Sequence, residues 1–278
     1  MNILEFSVLV WAGSFTAGFL GAITGLGGGV VIVPFLVSVF GVDIRYAVGA
    51  SLVSVIATSC GAASSYLKKG YANLRIGMFL EVATTMGAIM GALIAAYVSV
   101  KALTLVLAIA LIYSAYFSWQ NQPKPDTPES PDSLATYLKL NGTYPTPDGL
   151  MMYHANSIPM GFGVMIVAGV LSGLLGIGSG AFKVLAMDQV MGLPFKVSTT
   201  TSNFMIGVTA AASAGVYLTR GYIDPGLAMP VILGVLPGAL LGANVLICAK
   251  TEILRIAFSL VLLVMAFKMI YQSFIGAG

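Results

Sequence analysis

The chain has 278 residues, of which 58% are hydrophobic and only 8% charged, with a net charge of +3. A soluble domain carries about 25% charged residues, so this sequence lacks the charge to cover a water-facing surface, and +3 is too small to point to nucleic acid. Lipid must be the solvent for most of the molecule. Backbone polar groups in lipid are paired within helices or a closed barrel. The apolar runs are long and unbroken rather than short and alternating, which selects helices. Cys60 and Cys248 both lie in apolar segments, which offers neither a disulfide framework nor a metal cluster. No cofactor is expected.

Residues 4–24 form the first apolar run. It contains Glu5, has no Lys or Arg ahead of it, and leads straight into further apolar sequence, so it reads as a retained helix rather than a secretory signal. The sequence breaks at Gly25-Leu-Gly-Gly-Gly29 and resumes as the short run 30–40 with Pro34; further runs follow at about 46–67, 77–99 and 102–119. Residues 120–158 change character, with Pro123, Pro125, Pro128, Pro131, Pro145 and Pro147. This is an extramembrane linker, expected to be disordered to about 133 and to form a small β-hairpin within 137–156, around Tyr137, Tyr144 and Tyr153. Apolar sequence returns at 159–175, breaks at Gly176-Ile-Gly-Ser-Gly180, and continues at 181–192, 196–219, 226–248 and 252–275. The division is a first transmembrane repeat over 1–119, the linker over 120–158 and a second repeat over 159–278.

The second half copies the first. A shift of 151 positions superimposes residues 17–91 on 168–242 without a gap, with roughly a quarter of the pairs identical. Gly18, Gly25, Gly27, Gly29 and Gly41 fall on Gly169, Gly176, Gly178, Gly180 and Gly192, and Tyr66-Leu67 with Gly70-Tyr71 on Tyr217-Leu218 with Gly221-Tyr222. Compositional bias does not place glycines in common register. The expected fold is an all-α integral membrane protein of about 10 transmembrane segments in two inverted repeats, each with a Gly-interrupted helix, the architecture of many secondary transporters. Eight crossings with re-entrant hairpins and parallel repeats is the second choice. Five crossings per repeat put Lys68, Lys69, Arg75, Lys124, Lys139, Lys196, Lys250 and Arg255 on one face, against Arg45, Lys101 and Arg220 on the other. By the positive-inside rule the linker is cytoplasmic and both termini lie outside, in a cell membrane.

A helix broken at membrane depth exposes N–H and C=O groups that lipid cannot satisfy, so the break must line a wet cavity or meet a ligand. The helix that restarts after it offers free N–H groups and a partial positive charge, which suits an anion. Gly27, Gly28, Gly29, Gly178, Ser179 and Gly180 are therefore candidate anion contacts, against the plainer reading that they allow close packing, as at Gly87/Gly91 and Gly238/Gly242. Lys183 stands three positions after Gly180 in an apolar run; its repeat equivalent is Ile32. A buried ammonium needs a partner or a cavity, and Lys183 either contacts the anion, pairs with Asp188 or snorkels. Ser198-Thr-Thr-Thr-Ser-Asn203 opens the next helix, with Ser51 as the equivalent of Ser202. So many hydrogen-bonding side chains exceed what a helix cap needs, so Ser51, Thr201, Ser202 and Asn203 are candidate donors to an oxyanion. Asp188 and Glu81 are candidates for a coupling proton or cation, Glu81 with the alternative of a hydrated position near the interface. His154, in the linker, reads as a surface residue.

These residues resemble the sulfite exporter TauE/SafE family of membrane proteins. The likeness rests on Gly18-x-x-Gly-x-x-x-Gly-x-Gly-Gly-Gly29 with Val33-Pro34, on Gly169-x-x-x-Gly-x-x-Gly-x-Gly-x-Gly180 with Lys183-Val184, and on Thr201-Ser202-Asn203. It covers both repeats and implies a secondary carrier for a small sulfur oxyanion or organosulfonate such as sulfite or sulfoacetate. Two positions depart from the family pattern: Ser179 where Gly is usual and Ala50 where Thr is common. The expectation is alternating access around a midplane site, with a small anion and the bilayer as partners, no nucleic acid, and a homodimer left open. An anion channel, an intramembrane enzyme and a membrane scaffold are the other classes. The enzyme lacks a nucleophile with a base, since the apolar segments hold no His.

Overall fold

The computed structural model describes residues 3–24, 27–68, 70–95, 97–99, 132–146 and 149–248, with isolated helical positions within 101–116 and 256–271. The Gly25-Leu26 half of the first break, the linker up to 131 and most of the runs 102–119 and 252–275 lie outside the described residues. The elements are α1 (Ile3–Thr24), α2 (Gly29–Phe40), α3 (Ile44–Lys68), α4 (Leu74–Ile94), α5 (Ser133–Tyr137), β1 (Gly142–Thr146), β2 (Gly149–Tyr153), α6 (Ile158–Leu175), α7 (Gly180–Leu185) continued by a π turn (Ala186–Val190), α8 (Phe195–Thr219) and α9 (Pro225–Cys248). Among the described residues five helices, α1, α3, α4, α6 and α9, are long and apolar enough to cross a membrane. α8 has the length, at 25 residues, but its Ser, Thr and Asn residues dilute its apolarity. α2 has only 12 residues. A helix that short falls well below the roughly 20 residues that a straight crossing of the hydrocarbon core requires.

Helix ends follow local chemistry. Gly41 closes α2 in the left-handed region at φ 65°, its N–H donating to the Val37 carbonyl at 3.2 Å while Val42 N–H donates back to the Leu36 carbonyl at 3.3 Å, a left-handed closure that glycine permits. Asn73 caps α4, its Oδ1 accepting from the N–H groups of Arg75 and Ile76, both at 3.1 Å. Three pairs of equivalent glycines share backbone conformation: φ is 69° and 72° at Gly27 and Gly178, 65° and 69° at Gly41 and Gly192, and 73° at both Gly70 and Gly221; Gly28 and Ser179 differ, at φ −60° and 51°.

Two tight seams organise the bundle. α1 runs parallel to α9, with Gly234, Gly238 and Gly242 of α9 set against the carbonyls of Trp11, Phe15 and Phe19, and Gly18 against that of Val235. α4 runs parallel to α6, with Gly87 and Gly91 against the carbonyls of Ile166 and Val170, and Gly169 and Gly173 against those of Thr84 and Ala88. A Cβ at any of these positions would overlap backbone, so packing of small residues sets the close approach. Between the seams α3 and α8 cross antiparallel. Ser59 Oγ donates to the Asn203 carbonyl at 2.6 Å, and at the other end the Tyr46 and Tyr222 rings meet edge-on, 5.8 Å apart. The short α2 folds back along α1, as the Phe6 ring meets Phe40 at 4.9 Å.

Residues 132–146 and 149–157 form a small cap. Asp132 accepts from Leu134 N–H to start α5, and β1 pairs antiparallel with β2 from Gly142↔Tyr153 to Thr146↔Gly149. Leu140, Tyr153 and Ala155 are buried in one apolar cluster with Ile76, Leu80, Met191, Leu193 and Val197, which seats the cap on the starts of α4, α6 and α8. Asn73 Nδ2 ties it down, donating to the Leu140 carbonyl at 3.0 Å and to the Tyr153 hydroxyl at 2.9 Å. Burial pushes the Tyr153 phenol above its ordinary range, an effect that the Asn73 hydrogen bond partly offsets, so the hydroxyl stays neutral in this contact.

Candidate functional site

Both glycine breaks converge on the crossing of α3 and α8. A Cβ at Gly27 would meet Ile206 at 2.7 Å and Val55 at 3.5 Å; one at Gly178 would meet Val55 at 2.9 Å and Ile206 at 3.4 Å. Val55 and Ile206 are themselves equivalent positions of the two repeats. The left-handed φ of both glycines lets the chain turn here without a side chain, and the two breaks share one apolar contact pair. Gly29 belongs to the same knot, with Ser51 Oγ and the Gly176 carbonyl at its open side.

Carbonyls flanking the breaks are met by side chains from the crossing helices. Ser51 Oγ donates to the Gly176 carbonyl at 2.8 Å, Ser202 Oγ to the Gly180 carbonyl at 3.2 Å, and Asn203 Nδ2 to the Ala22 carbonyl at 3.1 Å. All three side chains are fully buried. In this conformation these carbonyls find partners in protein. Thr201 departs from the expected group. Its Oγ1 accepts from Asn73 N–H at 3.0 Å, so it holds the turn between α3 and α4 beneath the cap, as does Thr200 Oγ1, which donates to the Tyr71 carbonyl. Ser179, where the resemblance leads one to expect Gly, sits at φ 51°. Its Oγ is buried with no hydrogen-bond partner among the described residues.

Lys183 lies one turn into α7 and is 0% exposed. Its partner is Glu81 of α4, not Asp188 and not the interface: Nζ is 3.2 Å from Glu81 Oε2 and also donates to Thr209 Oγ1 of α8. Thr209 Oγ1 donates to Glu81 Oε1 at 2.5 Å, and Thr85 Oγ1 donates to the same oxygen at 3.2 Å. Glu81 is 7% exposed, so the reading of a hydrated position near the interface is corrected as well. Side chains from α4, α7 and α8 thus close a charge pair inside the bundle. Asp188 occupies the π turn, where the Met191 N–H donates to the Ala186 carbonyl at 3.0 Å, and its carboxylate accepts from Gln189 Nε2 at 2.7 Å. Thr85 and Thr209 lie outside the candidates that the sequence suggests. Thr58 and Thr209 are identical residues at equivalent repeat positions, a signal that points to the second of them.

The two symmetry-equivalent sets of positions differ at this point. The counterparts of Lys183, Glu81 and Thr209 are Ile32, Ile232 and Thr58, and Thr58 Oγ1 donates locally, to the Ser54 carbonyl at 2.8 Å. Each repeat contributes one residue to the buried ion pair, and the symmetry-equivalent pair of positions holds two isoleucines. At the end of the molecule away from the cap, the starts of α1, α3 and α9 border an open cavity of about 400 Å³ lined by Phe6, Val42, Tyr46, Asp224, Gly226 and Leu227.

A profile of the family described as Sulfite exporter TauE/SafE matches residues 10–269. The chain belongs to this family. Among curated proteins it is 26% identical to the Bacillus subtilis (strain 168) protein named probable membrane transporter protein YunE, over 97% of this chain and 99% of that one. It is also 26% identical to that organism's probable membrane transporter protein YdhB, over 83% and 86%, and 23% identical to a probable membrane transporter protein, ORF9, of a Sinorhizobium species, over 97% and 95%. No solved structure matches it. Family membership and five apolar helices of spanning length make the chain a multi-pass membrane transporter of the TauE/SafE family.

Proposed function

We propose that the protein is a secondary carrier for a small sulfur oxyanion or organosulfonate, such as sulfite or sulfoacetate. The anion would bind by alternating access between the two broken helices. The observation that carries this reading is Lys183, an ammonium with no exposed surface one turn from a helix start at the knot of the two breaks. Such a charge is costly in a membrane and marks ion pathways. The N–H groups opening α2 at Gly29 and α7 at Gly180 add partial positive charge close by. Ser51, Ser202 and Asn203 supply donors that can move from break carbonyls to an oxyanion when the helices part. Gly27, Gly28, Gly178 and Ser179 keep side-chain bulk off that approach. The name of the family, and the names of the relatives as transporters, favour the same class.

Inverted repeats with five crossings each are part of the proposal. What supports the inversion is direction. α1 begins beside the starts of α3 and α9, around the cavity, whereas α6, its counterpart in the second repeat, begins beneath the cap at Ile158 with the start of α4. The α2 hairpin along α1 supports counting the short helix as a return. With Arg75, Lys139 and Lys196 near the cap, the positive-inside rule favours the cytoplasm for that end.

The test is flux in proteoliposomes holding the purified chain, with labelled sulfite, sulfoacetate and methanesulfonate. Saturable uptake of at least one of them, lost in Lys183→Ala, is the expected outcome. Linear, non-saturating flux with unitary currents would instead make the protein a channel.

A further inference from the structure

We propose that Glu81 is a built-in stand-in for the transported anion and that each anion displaces it only together with a proton, so that transport is anion–proton symport. This rests on the carrier reading above.

The geometry around Glu81 is that of a bound oxyanion. Oε2 faces the Lys183 ammonium at 3.2 Å, and Oε1 accepts from the hydroxyls of Thr209 at 2.5 Å and Thr85 at 3.2 Å. One ammonium and two hydroxyls are also what a sulfonate or sulfite group would take from this place. The carboxylate therefore fills, from within the protein, the contacts of the ligand class proposed. Among the described residues of the neighbouring helices no other carboxylate faces the ammonium. Around the pair, α4 carries Arg75 at its exposed start, α7 and its π turn carry Asp188 against Gln189, and α8 carries Lys196 at its start. Arg220, just beyond the end of α8, donates to the Ala92 carbonyl at 3.0 Å. α6 has no charged residue, and Ile32 and Ile232 stand at the counterpart positions of the repeat.

Charge then dictates the coupling. If an anion came to Lys183 while Glu81 stayed ionised, two negative charges would share one buried ammonium, an arrangement that forces one of the acids to hold a proton. A carboxylate left without its ammonium inside the bundle would be an uncompensated buried charge. Both costs vanish when Glu81 takes a proton from the bathing water: an O–H bond forms on the carboxylate, the Lys183–Glu81 ion pair gives way to a Lys183–anion pair, and the net charge of the site does not change. Release reverses each step. For a monoanion the cycle is electroneutral, one proton and one anion crossing together. The empty carrier restores the internal pair, which keeps the ammonium compensated during its return.

The experiment uses the full chain in proteoliposomes with labelled methanesulfonate, sulfoacetate and sulfite, under either an imposed pH gradient or a potassium-diffusion potential. Methanesulfonate stays ionised throughout, and comparing wild type with Glu81→Gln cancels the titration of sulfite itself. Wild-type uptake is expected to rise at least tenfold with acid on the side of entry, and methanesulfonate uptake to ignore the potential. Glu81→Gln is expected to lose the response to the pH gradient and to gain one to potential, while Glu81→Asp keeps the wild-type pattern. Wild-type flux that is saturable but follows potential alone overturns the inference, as does a Glu81→Gln variant with the full pH response. Absence of saturable flux of all three anions in wild type defeats the carrier reading itself, and the inference with it. A measurement on wild type alone guards against misfolded variants: a pH dye inside the vesicles should report one proton per methanesulfonate, and saturable methanesulfonate uptake without proton entry overturns the proposal.

Discussion

The α4–α7–α8 side of the central knot and the α9–α2–α3 side share glycine turns and small-residue seams but carry opposite chemistry. Glycines with matching φ turn both breaks, and small residues set both seams. Yet Lys183 and Glu81 form a sealed ion pair on one side, while Ile32 and Ile232 stand at their counterparts. What is duplicated is the part that fixes helix geometry. What differs is the part that carries charge, so a symmetric frame can hold one polar site.

The largest effect is expected from breaking the charged side alone. Lys183→Met leaves Glu81 buried without its cation, which costs about 3–5 kcal/mol for pairs of this kind. Thermal unfolding in detergent should show a marked fall in midpoint, and flux should vanish. Making that side resemble its counterpart sharpens the comparison: Lys183→Met with Glu81→Met removes both charges, and because replacing a buried pair by apolar residues is often neutral or stabilising, the midpoint should return to near wild type while flux stays absent. A double variant as unstable as the single one would deny that the pair is there for function. In the shared frame the two sides should respond alike. Gly87→Ala and Gly238→Ala each place a Cβ against backbone, and overpacking of this order costs about 1–3 kcal/mol; unequal losses would show that the seams are not equivalent. The smallest effect is expected at Ser179→Gly. Relieving a left-handed serine recovers about 1–2 kcal/mol of strain, offset by about 0.5–1 kcal/mol of added chain entropy, so a slight rise in midpoint is the outcome to look for.

Periodic and conformational features are readable in the sequence because they act locally. The glycine register announces where the chain turns, and the helices begin and end within a few positions of the apolar runs. Ser51 and Ser202 are drawn to the breaks by register alone, and both do bond to break carbonyls. The identity of a bond partner is not readable in the same way. Lys183 and Glu81 are 102 positions apart, and the repeat offers no guide because the counterpart of each is an isoleucine. Thr201 looks equivalent to Ser202, yet on a helix adjacent side chains point about 100° apart, which turns Thr201 toward Asn73. The side-chain capping of the break carbonyls becomes visible only once α3 and α8 are known to cross there.

The parallel seams carry a consequence for biosynthesis. α1 finds its small-residue partner in α9 and α4 finds its own in α6, so each half completes its packing with helices of the other. At a synthesis rate of about 5–20 residues per second, the nascent chain holds α1 in the bilayer for roughly ten seconds or more before Gly234, Gly238 and Gly242 emerge to meet it. During that interval the insertion machinery, or lipid, must cover the face of α1 that α9 later occupies. Expression of residues 1–119 alone should therefore give a membrane-inserted but protease-sensitive product, and co-expression with 120–278 should restore protection.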